Sequence, residues 1–166
     1  MSRGRISVVG LDGRPLDEEM ERLLADAALV AGGGRHLEML GVDSDRALVL
    51  EGDLSEALAR IEATGGPVVV LASGDPGFFG IVRLLAGRFG RENLRIWPGL
   101  SSVALAFARA GLSWDDAVTV SAHGRDPRRA VNVCRAHPKA AVLTSPDFGP
   151  AALAVALDGL GRSLVV

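Results

Sequence analysis

The chain has 166 residues, 48% of them apolar and 23% charged, with 20 acidic against 18 basic side chains and a net charge of -2. That balance excludes an intrinsically disordered chain and a collagen-like fibre, and it supplies no bulk charge for holding nucleic acid. The single cysteine, Cys134, excludes an internal disulfide framework and a cysteine-based zinc site.

Met1-Ser2-Arg3-Gly4-Arg5 has the charge of a signal n-region. The apolar stretch behind it, Ile6 to Leu11, is too short for a secretory core, and no segment reaches the ~20 apolar residues that cross a bilayer. The expected compartment is the cytoplasm, with no membrane association. Ile6 to Val9 reads as a strand that ends at Gly10-Leu11-Asp12-Gly13. Asp17 to Leu29 carries Met20, Leu23, Leu24 and Ala27 at helical spacing, with three acidic residues in its first turn where the helix dipole favours them. Val30-Ala31 is a short buried strand, Gly32-Gly33-Gly34 stops it, and a brief helix runs from Arg35 to Leu40.

Ala47 to Leu50 is the next strand. Asp53 or Ser55 caps a helix to Ala63, closed by Gly65-Gly66-Pro67. Val68 to Ala72 is apolar throughout, as a strand covered on both faces must be. Ser73-Gly74-Asp75-Pro76-Gly77 is a turn by composition, and Phe78 to Phe89 reads as helix. Leu94 to Trp97 is a strand broken by Pro98-Gly99, and Ser101 or Ser102 caps a helix to Ala110. Beyond Leu112 to Asp116 the pattern resumes: strand Ala117 to Ser121, helix Pro127 to Ala136, strand Ala140 to Leu143, helix Pro150 to Leu160. Ser163 to Val166 resembles a strand just begun. This alternation predicts an α/β fold with a mostly parallel sheet in an N-terminal domain, residues 1–112, followed by a second α/β domain, residues 116–166, that reads as C-terminally truncated.

The segment from Val68 to Gly80 is the most informative, because open α/β sheets bind ligands at the carboxyl ends of their strands. Gly74 lets a ligand approach backbone, and Pro76 holds Asp75 extended, so Asp75 either accepts from a ligand hydroxyl or ammonium or caps the next helix. The first loop lacks both the three-glycine dinucleotide fingerprint and a Gly-Lys-Ser/Thr phosphate loop. His36, His123 and His137 have no spacing that favours a metal site, and Cys134 reads as a core residue. There is no Gly-x-Ser-x-Gly elbow for a serine hydrolase. The aromatic residues form no stacking stripe for single-stranded nucleic acid. Arg125, Arg128 and Arg129 give the loop after Ser121 either a positive rim suited to an acidic ligand or a solvated helix end. All basic residues but Lys139 are arginines.

Five anchors together resemble the S-adenosylmethionine-dependent tetrapyrrole methylases of the cobalamin pathway. They are Val8-Val9-Gly10, Val30 to Leu37, Leu71 to Gly80, Pro98 to Val103, and Val120 to Arg125. Arg35-His36-Leu37 and His123-Gly124-Arg125 are similar to the branch comprising the precorrin-6Y and cobalt-precorrin-7 C5-methyltransferases. The resemblance implies a tetrapyrrole methylase fold of two α/β domains, S-adenosyl-L-methionine as methyl donor, a precorrin or cobalt-precorrin as substrate, and a homodimer. It also implies a decarboxylating methyltransferase partner, fused or separate. Gly74, Asp75 and Phe78 would hold the amino-acid portion and ribose of the donor. Ser101 and Ser102 would contact it too, and Leu143 and Thr144 would line its adenine. Gly10 would face the substrate, and Arg14, Arg35 and Arg125 would grip its carboxylates. His36 and His123 are the candidate catalytic residues. Phe79 stands where many relatives carry tyrosine, the first loop is shorter than usual, and relatives continue past Val166. A sister methylase acting at another ring carbon, and a non-catalytic binding or assembly protein, are the alternative readings.

Overall fold

A computed structural model of the chain describes residues 6–166, so the charged stretch before Ile6 lies outside the described residues. Contacts divide the chain into two compact units that meet at Ser101/Ser102. The sequence places this boundary later, near Leu112 to Asp116; the helix before that point belongs to the second unit.

The first unit contains strands β1 (Ile6–Leu11), β2 (Leu29–Gly32), β3 (Ala47–Val49), β4 (Val68–Ser73) and β5 (Leu94–Trp97). Between them run helices α1 (Glu18–Ala25), α2 (Gly34–Met39), α3 (Ser55–Ala63) and α4 (Val82–Phe89). The five strands form one sheet in the order β3-β2-β4-β1-β5, and every neighbouring pair is parallel. Because side chains alternate across a strand, the apolar runs of β1, β2 and β4 feed two cores at once. Ile6, Val8, Leu29, Ala31, Val68 and Val70 point to one face, where Ile61 of α3 and Leu85 of α4 complete the packing. Val9, Leu11, Val30, Val69 and Leu71 point to the other, against Leu37 of α2 and the α1 residues Met20, Leu23 and Leu24. The Asp17 carboxylate caps α1 by accepting the Met20 N–H at 2.9 Å.

The strand order and the two cores explain where a crevice opens. β1 hands the chain to α1 on one face, while its neighbour β4 hands it to α4 on the opposite face. At the carboxyl ends of this adjacent pair the backbone therefore parts in two directions, which is the condition for a ligand crevice in an open α/β sheet. Immediately beneath it, three strand ends converge on glycines. A Cβ on Gly10 would stand 2.0 Å from the Gly74 carbonyl oxygen and 2.4 Å from the Gly99 nitrogen. A Cβ on Gly99 would stand 2.7 Å from the Gly10 carbonyl oxygen and 2.9 Å from that of Gly74. Backbone occupies the space that side chains would need.

The second unit contains α5 (Ser102–Ala110), β6 (Val118–Ser121), α6 (Pro127–Ala136), β7 (Ala140–Leu143) and α7 (Pro150–Ala156). β6 and β7 pair in parallel. One small core gathers Val120, Ala122 and Ala130; a second gathers Cys134, Leu153 and Leu157. Cys134 is a buried free thiol, as expected of a core cysteine, and burial pushes its pKa up. Phe107 and Trp114 stack with ring centroids 5.8 Å apart.

Four expected boundaries differ. β1 runs on through Gly10 and Leu11, because both residues pair with the end of β4. The helix expected to reach Leu29 ends at Ala25, and Leu29 serves as a buried strand residue instead. The helix expected from Phe78 begins at Val82. Gly80 lies so close to Pro76 that a Cβ there would stand 2.3 Å from the Pro76 carbonyl oxygen, and Phe79 takes a left-handed φ of 56°, so the chain makes consecutive turns before it can coil. The helix expected to reach Leu160 ends at Ala156, before Gly159 and Gly161 take φ of 74° and 61°. The strand expected at Ser163–Val166 does not form: these residues pair with neither β6 nor β7, and Val165 and Val166 are 73% and 94% exposed.

The glycine junction predicts an asymmetric response to alanine. Gly10→Ala must displace backbone and should destabilise the chain by at least about 2 kcal/mol in denaturant unfolding. Gly87→Ala, at an exposed position in α4 with open space around it, should leave stability unchanged or raise it by up to about 1 kcal/mol.

Candidate active site

The residues after β4 leave the sheet at the glycine junction. Gly74 takes φ 61°, a conformation that favours glycine, and its N–H donates to the Leu11 carbonyl at 2.7 Å while its carbonyl accepts from the Gly99 N–H at 3.2 Å. Both polar backbone groups of Gly74 are thus committed within the protein. Gly74 organises the crevice rather than lending its own amide to a ligand. Pro76 behind it is fully buried. Asp75 Oδ1 accepts from the Gly77 N–H at 2.8 Å, and its backbone carbonyl accepts from the Phe78 N–H at 3.1 Å. This settles one carboxylate oxygen as the brace of the turn. The other takes no partner among the described residues, and Asp75 does not cap the next helix, which begins at Val82 behind Ile81. Phe78 and Phe79 meet edge to face with centroids 5.0 Å apart, and Phe79 is 42% exposed.

The β1 and β5 loops are tied by a residue that composition alone did not single out. Asp12 accepts from the Leu100 N–H at 2.8 Å and from Arg14 through both Nε and a terminal guanidinium nitrogen. The fork from Arg14 and the Leu100 amide hold the Asp12 carboxyl far below the usual carboxylate range. Arg14 is therefore already paired, its charge balanced by Asp12. Gly10, expected to face a substrate, is buried under the Gly74 and Gly99 backbones. Next to Gly74, the Leu100 carbonyl and Ser101 Cα lie 3.2 Å and 3.3 Å from where a Gly74 Cβ would be, which brings Ser101 into the same cluster.

At the adjacent β2 end, His36 sits on α2 with Nε2 3.2 Å from Ser73 Oγ. Its Nδ1 is buried without a hydrogen-bond partner, and desolvation, helped by the Arg35 charge, pushes its pKa down. Arg35 is exposed beside it.

The second unit carries its own candidates at the carboxyl ends of β6 and β7. Ala122, Gly124, Arg125, Ser145, Asp147 and Phe148 are among the residues lining an open cavity of about 410 Å³. Asp126 caps α6 by accepting the Arg128 N–H at 3.0 Å. His123 is exposed, with its amide donating to Ser121 Oγ at 3.2 Å. Leu143 ends β7 and its carbonyl accepts from the Ala122 N–H at 2.8 Å; Thr144 follows, half-buried. Ser102 opens α5 and is exposed. Among the described residues no group of three or more His, Cys, Asp or Glu side chains is gathered as metal ligands would be.

The family model for tetrapyrrole (corrin/porphyrin) methylases matches residues 8–162. The chain belongs to that family. It is 43% identical, over an alignment of 165 residues, to a decarboxylating precorrin-6Y C(5,15)-methyltransferase of a Sinorhizobium species, which covers 93% of this chain and 39% of the relative. It is 37% identical, over 139 residues, to the cobalt-precorrin-7 C(5)-methyltransferase of Salmonella typhimurium, covering 83% of this chain and 67% of the relative. Among solved structures, the cobalamin-biosynthesis precorrin-6Y methylase of Archaeoglobus fulgidus superposes with a TM-score of 0.66 at 25% identity, covering 87% of this chain and 76% of that one. The chain therefore spans about two fifths of the length of one curated relative and two thirds of another. The α/β architecture with its mostly parallel sheet is that of this family.

Within this tetrapyrrole methylase, the candidates of the first unit fall into two groups. Gly10, Gly74, Asp75 and Ser101 converge on the glycine junction, and His36 and Arg35 stand at the neighbouring strand end. Asp12, Ser73 and Gly99 complete these groups and were not picked out by sequence. The signal for Asp12 was its place two residues before Arg14 in a loop leaving a central strand; the signal for Gly99 was a third glycine at a third strand end.

The Asp12 tie is testable by titration. A carboxyl whose folded pKa is depressed stabilises the fold above its ordinary range, and that contribution is lost as the pH falls through the depressed value. Carbon-detected NMR should find Asp12 still ionised at a pH where free aspartate is protonated. Arg14→Ala should move its midpoint up towards the ordinary value, and an unchanged midpoint would show that the pair is not formed in solution.

Proposed function

We propose that this chain carries the activity of an S-adenosylmethionine-dependent methyltransferase that methylates C5 of a precorrin or cobalt-precorrin in cobalamin biosynthesis. The observation that carries the reading is the similarity along nearly the whole chain to relatives named for methylation at C5. The crevice at the heads of β1, β4 and β5 supports it, because it supplies what a methyl donor of that kind needs.

The fit rests on the donor set. Asp75 keeps one carboxylate oxygen without a partner on a turn anchored by a fully buried proline, an acceptor suited to an ammonium or a ribose hydroxyl. Phe78 gives that turn an apolar side, and Ser101 adds a hydroxyl beside Gly74. In this reading Asp75, Phe78, Ser101 and Ser102 hold the donor, Gly74 gives it room beside them without a hydrogen bond of its own, and Leu143 and Thr144 line its adenine. S-adenosylmethionine, when bound, supplies an electrophilic methyl group, so the protein has no nucleophile of its own to provide. The contribution of the chain is orientation: bracing Asp75 through Gly77, fixing the β4 turn through Pro76 and Gly80, and holding the β5 loop through Asp12. Arg35 and Arg125 present guanidinium groups for the carboxylates of the macrocycle. Burial and Arg35 favour a neutral imidazole at His36, which this reading places next to the substrate, and His123 stands after β6 in the second unit. The enzyme is proposed to act as a cytoplasmic homodimer, with a C-terminal methyltransferase partner performing decarboxylation.

Two assays test the reading together. Calorimetry should show S-adenosylhomocysteine binding to the wild-type chain, weakened about tenfold or more by Asp75→Ala through loss of a charge-assisted hydrogen bond. Incubation with S-adenosylmethionine and candidate precorrins should add one methyl group by mass spectrometry, with the label at C5. A chain that binds the nucleoside but methylates another ring carbon contradicts the C5 assignment, and one that binds no nucleoside contradicts the methyltransferase assignment.

A further inference from the structure

Ser73 is the last residue of β4, exposed, and 3.2 Å through Oγ from His36 Nε2. The state of His36 decides what that contact means. Its Nδ1 is buried and has no hydrogen-bond partner. A proton on Nδ1 would leave a buried N–H donor unpaired, a situation folded proteins avoid more strictly than an unpaired acceptor. The cationic form would bury that same unpaired donor and add a charge beside Arg35. The remaining arrangement is the neutral tautomer with its proton on Nε2. In that tautomer Nε2–H donates and Ser73 Oγ accepts, so the hydroxyl hydrogen of Ser73 does not point back at the ring and is left for another acceptor. A half-buried histidine thus holds a surface serine as a directed donor at the carboxyl edge of the sheet, one residue before Gly74 of the glycine junction.

We infer that the Ser73 hydroxyl, oriented by His36, is a docking donor for a carboxylate of the tetrapyrrole substrate. The inference rests on the function proposed above and adds to it a positioning pair and the class of group that the pair receives. An anion is the suited partner because Arg35, next to His36 in the chain and exposed, carries a guanidinium that repels a sulfonium or ammonium and attracts a carboxylate. Ser73 pairs with Leu11 of β1, but its side chain meets His36 of α2, the helix that follows β2, whereas Asp12 is tied to the loop after β5 at Leu100, next to Ser101. His36 does not touch the substrate in this scheme. It acts through Ser73.

The test uses the full chain and an octacarboxylic porphyrin as probe, with its octamethyl ester as the uncharged control. Nitrogen-15 NMR at neutral pH should show His36 protonated at Nε2 and bare at Nδ1. Ser73→Ala should weaken porphyrin binding by about 10- to 100-fold, as expected for a hydrogen bond to a charged group, while changing S-adenosylhomocysteine affinity by less than about threefold. His36→Leu should reproduce most of that loss, and His36→Gln, which keeps an N–H donor, should restore most of the affinity. The ester should bind weakly to the wild type and be insensitive to Ser73→Ala. A proton found on Nδ1, or porphyrin affinity unchanged in Ser73→Ala, overturns the inference. So does a wild-type chain that binds S-adenosylhomocysteine but not the porphyrin, and this result leaves the methyltransferase reading standing. Loss of S-adenosylhomocysteine binding in Ser73→Ala at unchanged thermal midpoint would instead place Ser73 on the donor and equally overturn it.

Discussion

The carboxyl ends of β4, β1 and β5 meet backbone to backbone, and there is room for that meeting because Gly10 and Gly99 lack a Cβ. Everything at the crevice is referenced to this junction. The Gly74 amide and carbonyl are spent on Leu11 and Gly99, which locks the start of the β4 turn to both neighbouring strand ends. Glycine at such a site is usually read as an invitation to a ligand. Here its first service is to let three pieces of main chain pack at a distance that no side chain permits.

A junction made of backbone is stiff, and the loops that leave it are held by short polar ties. Asp12 spans from the β1 loop to the Leu100 amide, Asp75 braces Gly77, and Pro76 is buried under the turn. Phe79 completes the segment in a left-handed conformation, which a phenylalanine adopts only when its surroundings impose it. The candidate site residues thereby sit on loops with little freedom of their own, which suits the proposed reaction, whose reactive group comes with the cosubstrate.

The sheet itself was legible because β1, β2 and β4, apart from Ser7 and the terminal Ser73, carry no polar side chain on either face, a pattern that a surface helix cannot share. The strand-helix alternation likewise announced parallel crossovers. Two kinds of feature were hidden. Helix starts and ends depend on where backbone collides, and the apolar spacing of Phe78 to Ile81 carries no record that Gly80 must lie against Pro76. Pairings between distant residues are also silent in sequence. Arg14 reads as a free cation until Asp12 is seen to hold it, and Ser73 reads as a turn residue until His36 is found beside it. The candidate residues came from resemblance and strand-end position, whereas which of them form the junction and which brace the turn is set by contacts between distant parts of the chain.

The central claim is that the heads of β1, β4 and β5 in the first unit receive the methyl donor. Amide hydrogen exchange with and without S-adenosylhomocysteine reads this most directly, residue by residue. The account predicts slowed exchange concentrated at Gly77 to Phe79 and at Leu100 to Ser102, with β2 and β3 unaffected. A nucleoside that binds without slowing exchange in either segment would contradict it.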